Sequence, residues 1–333
     1  MDAERYKKLL DRMRRAGGWR PVEYLIWALP VAAWFLFPTQ LPLLGQIAIM
    51  ALFALSLDLL LGYAGIVSLG HGAFFGLGAY TAGLLAVRGW GEPFSGLIAA
   101  AAVAAAFGFA SSFLVLRGTD LTRLMVTMGI ALMLSELANK MSWLTGGADG
   151  LQGVQVWPVL GMFDFDLYGR TAYVYAAAVL FLMFLLARRI VHSPFGRSLS
   201  AIKQNERRMH ALGAPVRGRI VAVYTLAAAY AGVAGALLTQ TNQFVSLEAM
   251  SFEKSADVLI MLVLGGTGRL YGAMLGALVF MAMHHVLSGL TPQYWQFWLG
   301  AMLVLLVMFA RGGLMGLFAV IGGALPRLRK AAP

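Results

Sequence analysis

Long uncharged stretches dominate the chain, and charged residues arrive in clusters between them. Residues 24–57, 59–87, 96–116, 220–247 and 270–310 contain no Asp, Glu, Lys or Arg. The hydrocarbon core of a bilayer is about 30 Å thick, so a helix rising about 1.5 Å per residue crosses it in roughly 20 apolar residues. Each of these stretches reaches that length. The pattern predicts an all-α polytopic membrane protein with about ten crossings (8–10) and both termini cytoplasmic. Candidate crossings are 22–38, 43–61, 64–87, 96–116, 121–143, 171–189, 220–240 and 293–310. Residues 254–288 supply either two short crossings or a re-entrant hairpin broken at GGTGRLYG. The prolines of PTQLP separate the first two crossings, because proline stops a helix.

Composition sharpens this picture. Of 333 residues, 60% are apolar and 12% charged, with mean hydropathy +0.75; soluble domains carry about 25% charged residues. The net charge of +11 is not a nucleic-acid footprint, because its placement is wrong for one. Of 26 Lys and Arg, seven precede residue 21, eight lie between Arg188 and Arg219, and four lie from Arg311 onward. Basic residues flanking apolar spans mark the cytoplasmic side. The organisation expected is a basic N-terminal segment at 1–21, one transmembrane domain at 22–310 with a cytoplasmic loop at 190–219, and a basic tail at 311–333. The leader lacks a small-residue cleavage site, so a retained first helix is expected. Without cysteine there are no disulfides and no thiolate sites.

GYAGIVSLGHGAFFGLGAYTAG, residues 62–83, puts glycines and polar groups where a span should be. Glycine costs a helix about 1 kcal/mol relative to alanine. Lipid cannot repair a broken backbone ladder, so irregular chain survives only under protein or beside a wet cavity. Two compatible readings fit. In one, Gly72 and Gly76 form a G-x-x-x-G packing face. In the other, GYAG is unwound and a half-helix begins near VSLGHGAFF, its N–H groups pointing into a pathway. Residues 265–276 repeat the theme, with GGTG able to unwind and Gly272 and Gly276 forming a second packing face. Candidate pathway residues are Gly65, Ser68, Gly70, His71, Glu136, Gly265 and Gly266. His71 reads equally as a helix-end histidine bonding a freed carbonyl. Glu136 is four residues from Lys140 and can pair with it on one helical face. Asp58, near the end of an apolar span, reaches the interface or caps GYAG. His284 and His285 fit a boundary position, and adjacent histidines suit one metal poorly, so no metal site is expected.

The loop SPFGRSLSAIKQNERRMHALG spaces Leu199, Ile202, Met209 and Leu212 among polar residues, as a short surface helix does. Such a helix suits either a groove on a partner or an anionic membrane surface.

Taken together, GYAGIVSLGHGAFFGLGAYTAGLL, TGGADGL at 145–151, this loop, YAGVAGAL at 230–237 and VLGGTGRLYGAMLGA at 263–277 resemble the branched-chain amino acid ABC-importer permeases of the LivM type. The motifs occur in that family's order across roughly residues 45–315. The resemblance implies one half of a permease heterodimer in a bacterial inner membrane. It implies a LivH-type second permease, two cytoplasmic ATPase subunits carrying ATP and Mg, and an extracytoplasmic solute-binding protein. It makes 190–219 the ATPase-coupling loop, with Pro194, Phe195, Gly196, Arg197, Leu199, Ile202, Asn205, Glu206, Arg207, Met209, Leu212 and Gly213 as its working residues. The loop departs from the EAA---G spacing of other importers: Arg207 and Arg208 follow Glu206, and Gly213 lies seven positions on. Branched-chain or other hydrophobic amino acids are the implied solutes, with urea, short amides or small aromatic acids as the in-family alternative. An ion-coupled secondary transporter is a rival from another class, and a non-transporting scaffold a third. No Walker A motif occurs, so no cofactor is expected on this chain, and no motif of an intramembrane enzyme appears.

Overall fold

The computed structural model describes residues 21–316 apart from 119, 167, 310 and 311. Most of the basic terminal segments expected at 1–21 and 311–333 lies outside these described residues. Among the described residues the fold is helical, and two isolated backbone bridges, Leu151–Val245 and Val159–Phe163, are its only strand-like pairings.

The order begins with α1 (Pro21–Leu36) and α2 (Leu41–Leu57), which runs on as a wide π turn over Asp58–Tyr63. Then come α3 (His71–Val87), α4 (Pro93–Val115), α5 (Asp120–Lys140) and α6 (Arg170–His192). Two short helices, α7 (Pro194–Gln204) and α8 (Glu206–Ala211), fill the basic loop. The chain closes with α9 (Val216–Asn242), α10 (Phe252–Gly265), α11 (Leu270–Leu290) and α12 (Trp295–Phe309). Among the described residues six helices are long and apolar enough to cross a membrane: Leu41–Tyr63, Pro93–Val115, Leu121–Lys140, Arg170–His192, Val216–Asn242 and Leu270–Leu290. Glu23–Leu36 and His71–Val87 are apolar but shorter. Residues 254–288 fall in two helices separated by the turn at 266–269, within GGTGRLYG.

Sequence dictates several of these ends. PTQLP delivers Pro42 to the first turn of α2, where a missing N–H costs nothing. Pro93 does the same for α4, and Glu92 caps it by accepting the Ser95 N–H at 2.6 Å. That bonding from Ser95 holds the Glu92 carboxyl below its ordinary range.

The centre of the bundle is α2 and α9, whose spans are largely buried within the chain, whereas α5 and α11 are mostly uncovered. Small residues let α3 and α9 touch backbone to backbone. A Cβ on Gly78 would lie 2.0 Å from Gly232 O, and one on Gly235 would lie 1.8 Å from Phe75 O. Thr239 on α9 donates to Ala79 O of α3 at 3.0 Å, a bond that only such an approach permits. Gly72, Gly76, Gly272 and Gly276 are close-packed as well: Gly76 meets Met250, and Gly276 meets Met261 O of α10. Buried polar pairs pin the ends. Arg188 on α6 pairs with Glu23 on α1, and the Tyr271 hydroxyl donates to the same carboxylate at 3.2 Å. Elsewhere Tyr175 donates to Gln240 at 2.8 Å, while Gln240 donates to Pro93 O at 2.8 Å, joining α6, α9 and α4.

These contacts divide the glycines into two kinds. Gly235→Val is expected to destabilise the detergent-solubilised chain by about 3 kcal/mol, because backbone rather than a flexible side chain blocks the added atoms. Gly129→Ala, in a helix with open space around it, is expected to stabilise by up to about 1 kcal/mol. Thermal unfolding of the two variants beside the parent measures both.

Candidate functional site

The break after Tyr63 does not carry the chain out of the bundle. His71, the first residue of α3, places Nε2 2.8 Å from the Ser56 hydroxyl and stacks beside Phe53. Ser56 lies seven residues before Tyr63, about 10 Å back along α2. Residues 66–70 therefore fold back beside α2 without helical structure, and α3 starts inside the molecule. The Ser56 hydroxyl also lies 2.5 Å from Phe53 O, so it bridges the α2 backbone and the imidazole. His71 is thus held by a hydroxyl, not by the freed carbonyl that the sequence suggested.

A second helix begins at the same depth. The N–H of Gly72, in the first turn of α3, donates to Ser255 Oγ of α10 at 2.8 Å, and a Cβ on Gly72 would lie 2.9 Å from Ser251 O. Ser251 caps α10 by accepting the Lys254 N–H at 3.1 Å. From this meeting point the helices run apart: α3 toward the 88–92 turn, α10 toward the 266–269 turn beside Gly62. Two helix N-termini, each carrying about half a positive charge, abut within the bundle. α5 braces the junction. Thr127 Oγ1 accepts the Leu69 N–H at 3.3 Å, and Gly70 packs against Thr127 O with no room for a Cβ.

A pocket of about 260 Å³ opens at the start of α10, lined by Met128, Ala131, Leu132 and Ser135 of α5 and by Met250, Ser251, Phe252 and Glu253. Both walls mix apolar and polar residues, with Ser135 among the α5 side chains and Ser251 and Glu253 beside Met250 and Phe252 where the helix begins. A larger groove of about 510 Å³ lies among Trp34, Phe94, Arg170 and Tyr175, and none of its lining comes from α3 or α10.

The pathway candidates part company here. Gly65, at φ +77°, is pressed by the Lys203 side chain. Ser68 and His71 are wholly buried, and Gly70 is buried under α5, so none of the three faces open space within this chain. Gly265 packs on Gly272 O, and Gly266, at φ +107°, lies against Gly312. Glu136 is exposed on α5 and forms no ion pair with Lys140. Asp58 does not reach an interface. It is fully buried, and its Oδ1 accepts the Gly268 N–H at 2.7 Å. His284 stands edge-on to Trp295 at 4.5 Å, and no cluster of metal-ligating side chains occurs among the described residues. Ser251, Glu253 and Ser255 escaped notice because their segment, SLEAMSFEKS, carries no glycine punctuation, and Thr127 because it lies inside α5; Ser251 as an N-cap followed by Glu253 was the available signal.

The basic loop is also not as expected. Leu199 and Ile202 point into the bundle and are almost fully buried, so they are not knobs for a partner. Gly196 is buried too, since a Cβ there would lie 2.2 Å from Val191 O. Pro194, Arg197, Asn205, Glu206, Arg207 and Gly213 are exposed, Phe195 and Met209 are half-buried, and Leu212 stands 73% exposed. Ser193 caps α7, and Asn205 caps α8 by accepting the Arg208 N–H at 2.9 Å. α7 belongs to the core, whereas α8 has no buried residue.

Residues 40–309 match the family described as branched-chain amino acid transport system / permease component. The chain is 30% identical to the high-affinity branched-chain amino acid transport system permease protein LivM of Salmonella typhimurium, over 80% of this chain and 68% of that protein. It is 29% identical to LivM of Escherichia coli K12 over the same shares, and 24% identical to the LivH permease of that organism over 80% of this chain and 91% of the relative. No solved structure matches.

Ser255→Ala is expected to leave the Gly72 N–H buried and unbonded, at a cost of about 1–3 kcal/mol. A lower midpoint in chemical unfolding, with insertion into the membrane intact, checks it.

Proposed function

The chain belongs to the family of branched-chain amino acid transport system permease components, and from that membership we propose that it carries branched-chain or other hydrophobic amino acids across a bacterial inner membrane. It is a permease subunit of an ABC importer. Energy enters through two separate ATPase subunits, a LivH-type permease completes the channel, and a solute-binding protein delivers the cargo. The loop 190–219 faces the cytoplasm.

The observation that carries the solute assignment is the meeting of the α3 and α10 N-termini beside a 260 Å³ pocket. An amino acid needs a site for an anion, a cation and an apolar side chain. The first-turn N–H groups of α10 suit the carboxylate, because helix N-termini bind anions through unbonded donors and the dipole. Glu253 at the rim suits the ammonium, and Met128, Leu132 and Met250 suit an aliphatic side chain. The exposed faces of α5 and α10 are where the second permease closes the site. Buried Ser68, Gly70 and His71 support the junction from behind, and Glu136 lies on the open α5 face.

Proteoliposomes holding the full importer, given labelled leucine or urea, test this. ATP-dependent leucine uptake is expected. Urea uptake without leucine overturns the solute, and ion-driven transport by this chain alone overturns the class. Glu253→Gln is expected to raise the KM for leucine about tenfold or more, the cost of losing one charge-assisted bond.

α8 is the part that docks on an ATPase subunit, with Leu212 as its apolar contact. Leu212→Asp is expected to weaken co-purification of the ATPase at least about tenfold, since an exposed apolar anchor of this kind concentrates binding energy. Insertion and folding of the permease should be unaffected. Normal assembly and uptake in this variant remove the docking role.

A further inference from the structure

One cluster near the basic loop is used by none of the preceding roles. Lys203, at the end of α7, donates from Nζ to Gly62 O at 2.8 Å, and its stem covers Gly65. Gly62 belongs to the π turn that ends α2, one step before the irregular chain leading to α3. Asp58 lies on the same turn, and its Oδ1 holds the Gly268 N–H at 2.7 Å. Gly268 sits in the four-residue turn that follows α10. The packing leaves no slack: a Cβ on Gly62 would lie 2.0 Å from Asp58 Oδ1 and 2.6 Å from Gly268 N. One π turn therefore carries contacts to α7 on one side and to the end of α10 on the other.

We propose that Lys203 and Asp58 are positioning residues forming a two-armed link, through which movement of the α7–α8 loop reaches both broken helices at once. The physical case rests on direction and chemistry. The last carbonyls of a helix lack partners within it and carry the negative end of its dipole. An ammonium on one of them is a charge-assisted bond, stronger than a neutral one. Lys203 thus grips α2 at the point where the chain turns back toward His71. Asp58 places a carboxylate at the same negative helix end, an unfavourable position unless bonded. Gly268 satisfies one oxygen, and Oδ2 has no hydrogen-bond partner. Pulling α7 away removes the Gly62 bond and frees the π turn that also carries the Asp58–Gly268 bond. The chain leading into α3 and the turn that ends α10 are then loosened in one event, because the first continues from this π turn and the second is bonded to it.

The link rests on the reading of 190–219 as the motor-facing loop, so its test has one readout that needs no transport. Lys203→Met keeps the stem over Gly65 and removes the ammonium. In the purified complex it is expected to raise amide exchange in 62–70 and 266–269 by about tenfold or more, the effect of losing a charged hydrogen bond. The number of solute molecules moved per ATP hydrolysed should fall by a similar factor, and Lys203→Arg should restore both. Unchanged exchange in both segments overturns the link, as does exchange that rises in 62–70 alone. Loss of ATPase co-purification in Lys203→Met overturns it too, because Lys203 is then a docking contact. If the parent complex moves neither leucine nor urea while the exchange effect appears, the solute assignment fails and the link stands.

Discussion

Every break in a helix inside a bilayer frees backbone groups that lipid cannot bond, and satisfying those groups is the constraint on which this structure depends. The chain breaks at 64–70 and again at 243–251, and each break is answered by a named partner. Thr127 takes the Leu69 N–H, Ser255 takes that of Gly72, Ser251 takes that of Lys254, and Lys203 caps Gly62 O. Most of these partners come from distant sequence. The breaks are therefore stable only in the assembled bundle, and the bundle is held in register by what the breaks need. An unbonded donor would cost about as much as a lost core side chain.

The class of fold was legible because hydropathy over 20 residues is a strong signal. A break after GYAG was legible as one of two compatible readings of the glycines there, the other being close helix packing. Its counterpart at α10 was not, because the chain enters it through SLEAMSFEKS, which reads as an ordinary loop and helix start. G-x-x-x-G spacing found Gly72, Gly76, Gly272 and Gly276, yet comparably close approaches use Gly78 and Gly235, which it did not find. Spacing identifies a small-residue face but not the helix that will lie against it. The loop at 190–219 misled for a related reason. Its apolar residues were correctly periodic, but periodicity cannot tell whether the face is covered by the same chain or by another, and Leu199 and Ile202 turn inward.

The two broken helices give the site its polarity. α3 and α10 start at one point and run in opposite directions, so their dipoles add at the junction rather than cancel along a common axis. Charge of one sign is concentrated where the chain is otherwise apolar, beside a pocket with a single acid at its rim. On the proposed reading, that combination suits a solute carrying both charges on a small apolar body; the LivM relatives are named for branched-chain amino acids.

α7 and α8 are joined through Asn205 but live under different rules. α7 is locked by Gly196, Leu199 and Ile202, and any drift there disturbs the bundle. α8 has no fully buried residue and only Met209 of it packs on the core, so the rest of its surface can change with little cost to folding. Over evolutionary time such a segment is free to track changes in whichever engine it meets. A duplicated copy could acquire a new engine by altering six or seven positions while the conduit above it stays the same.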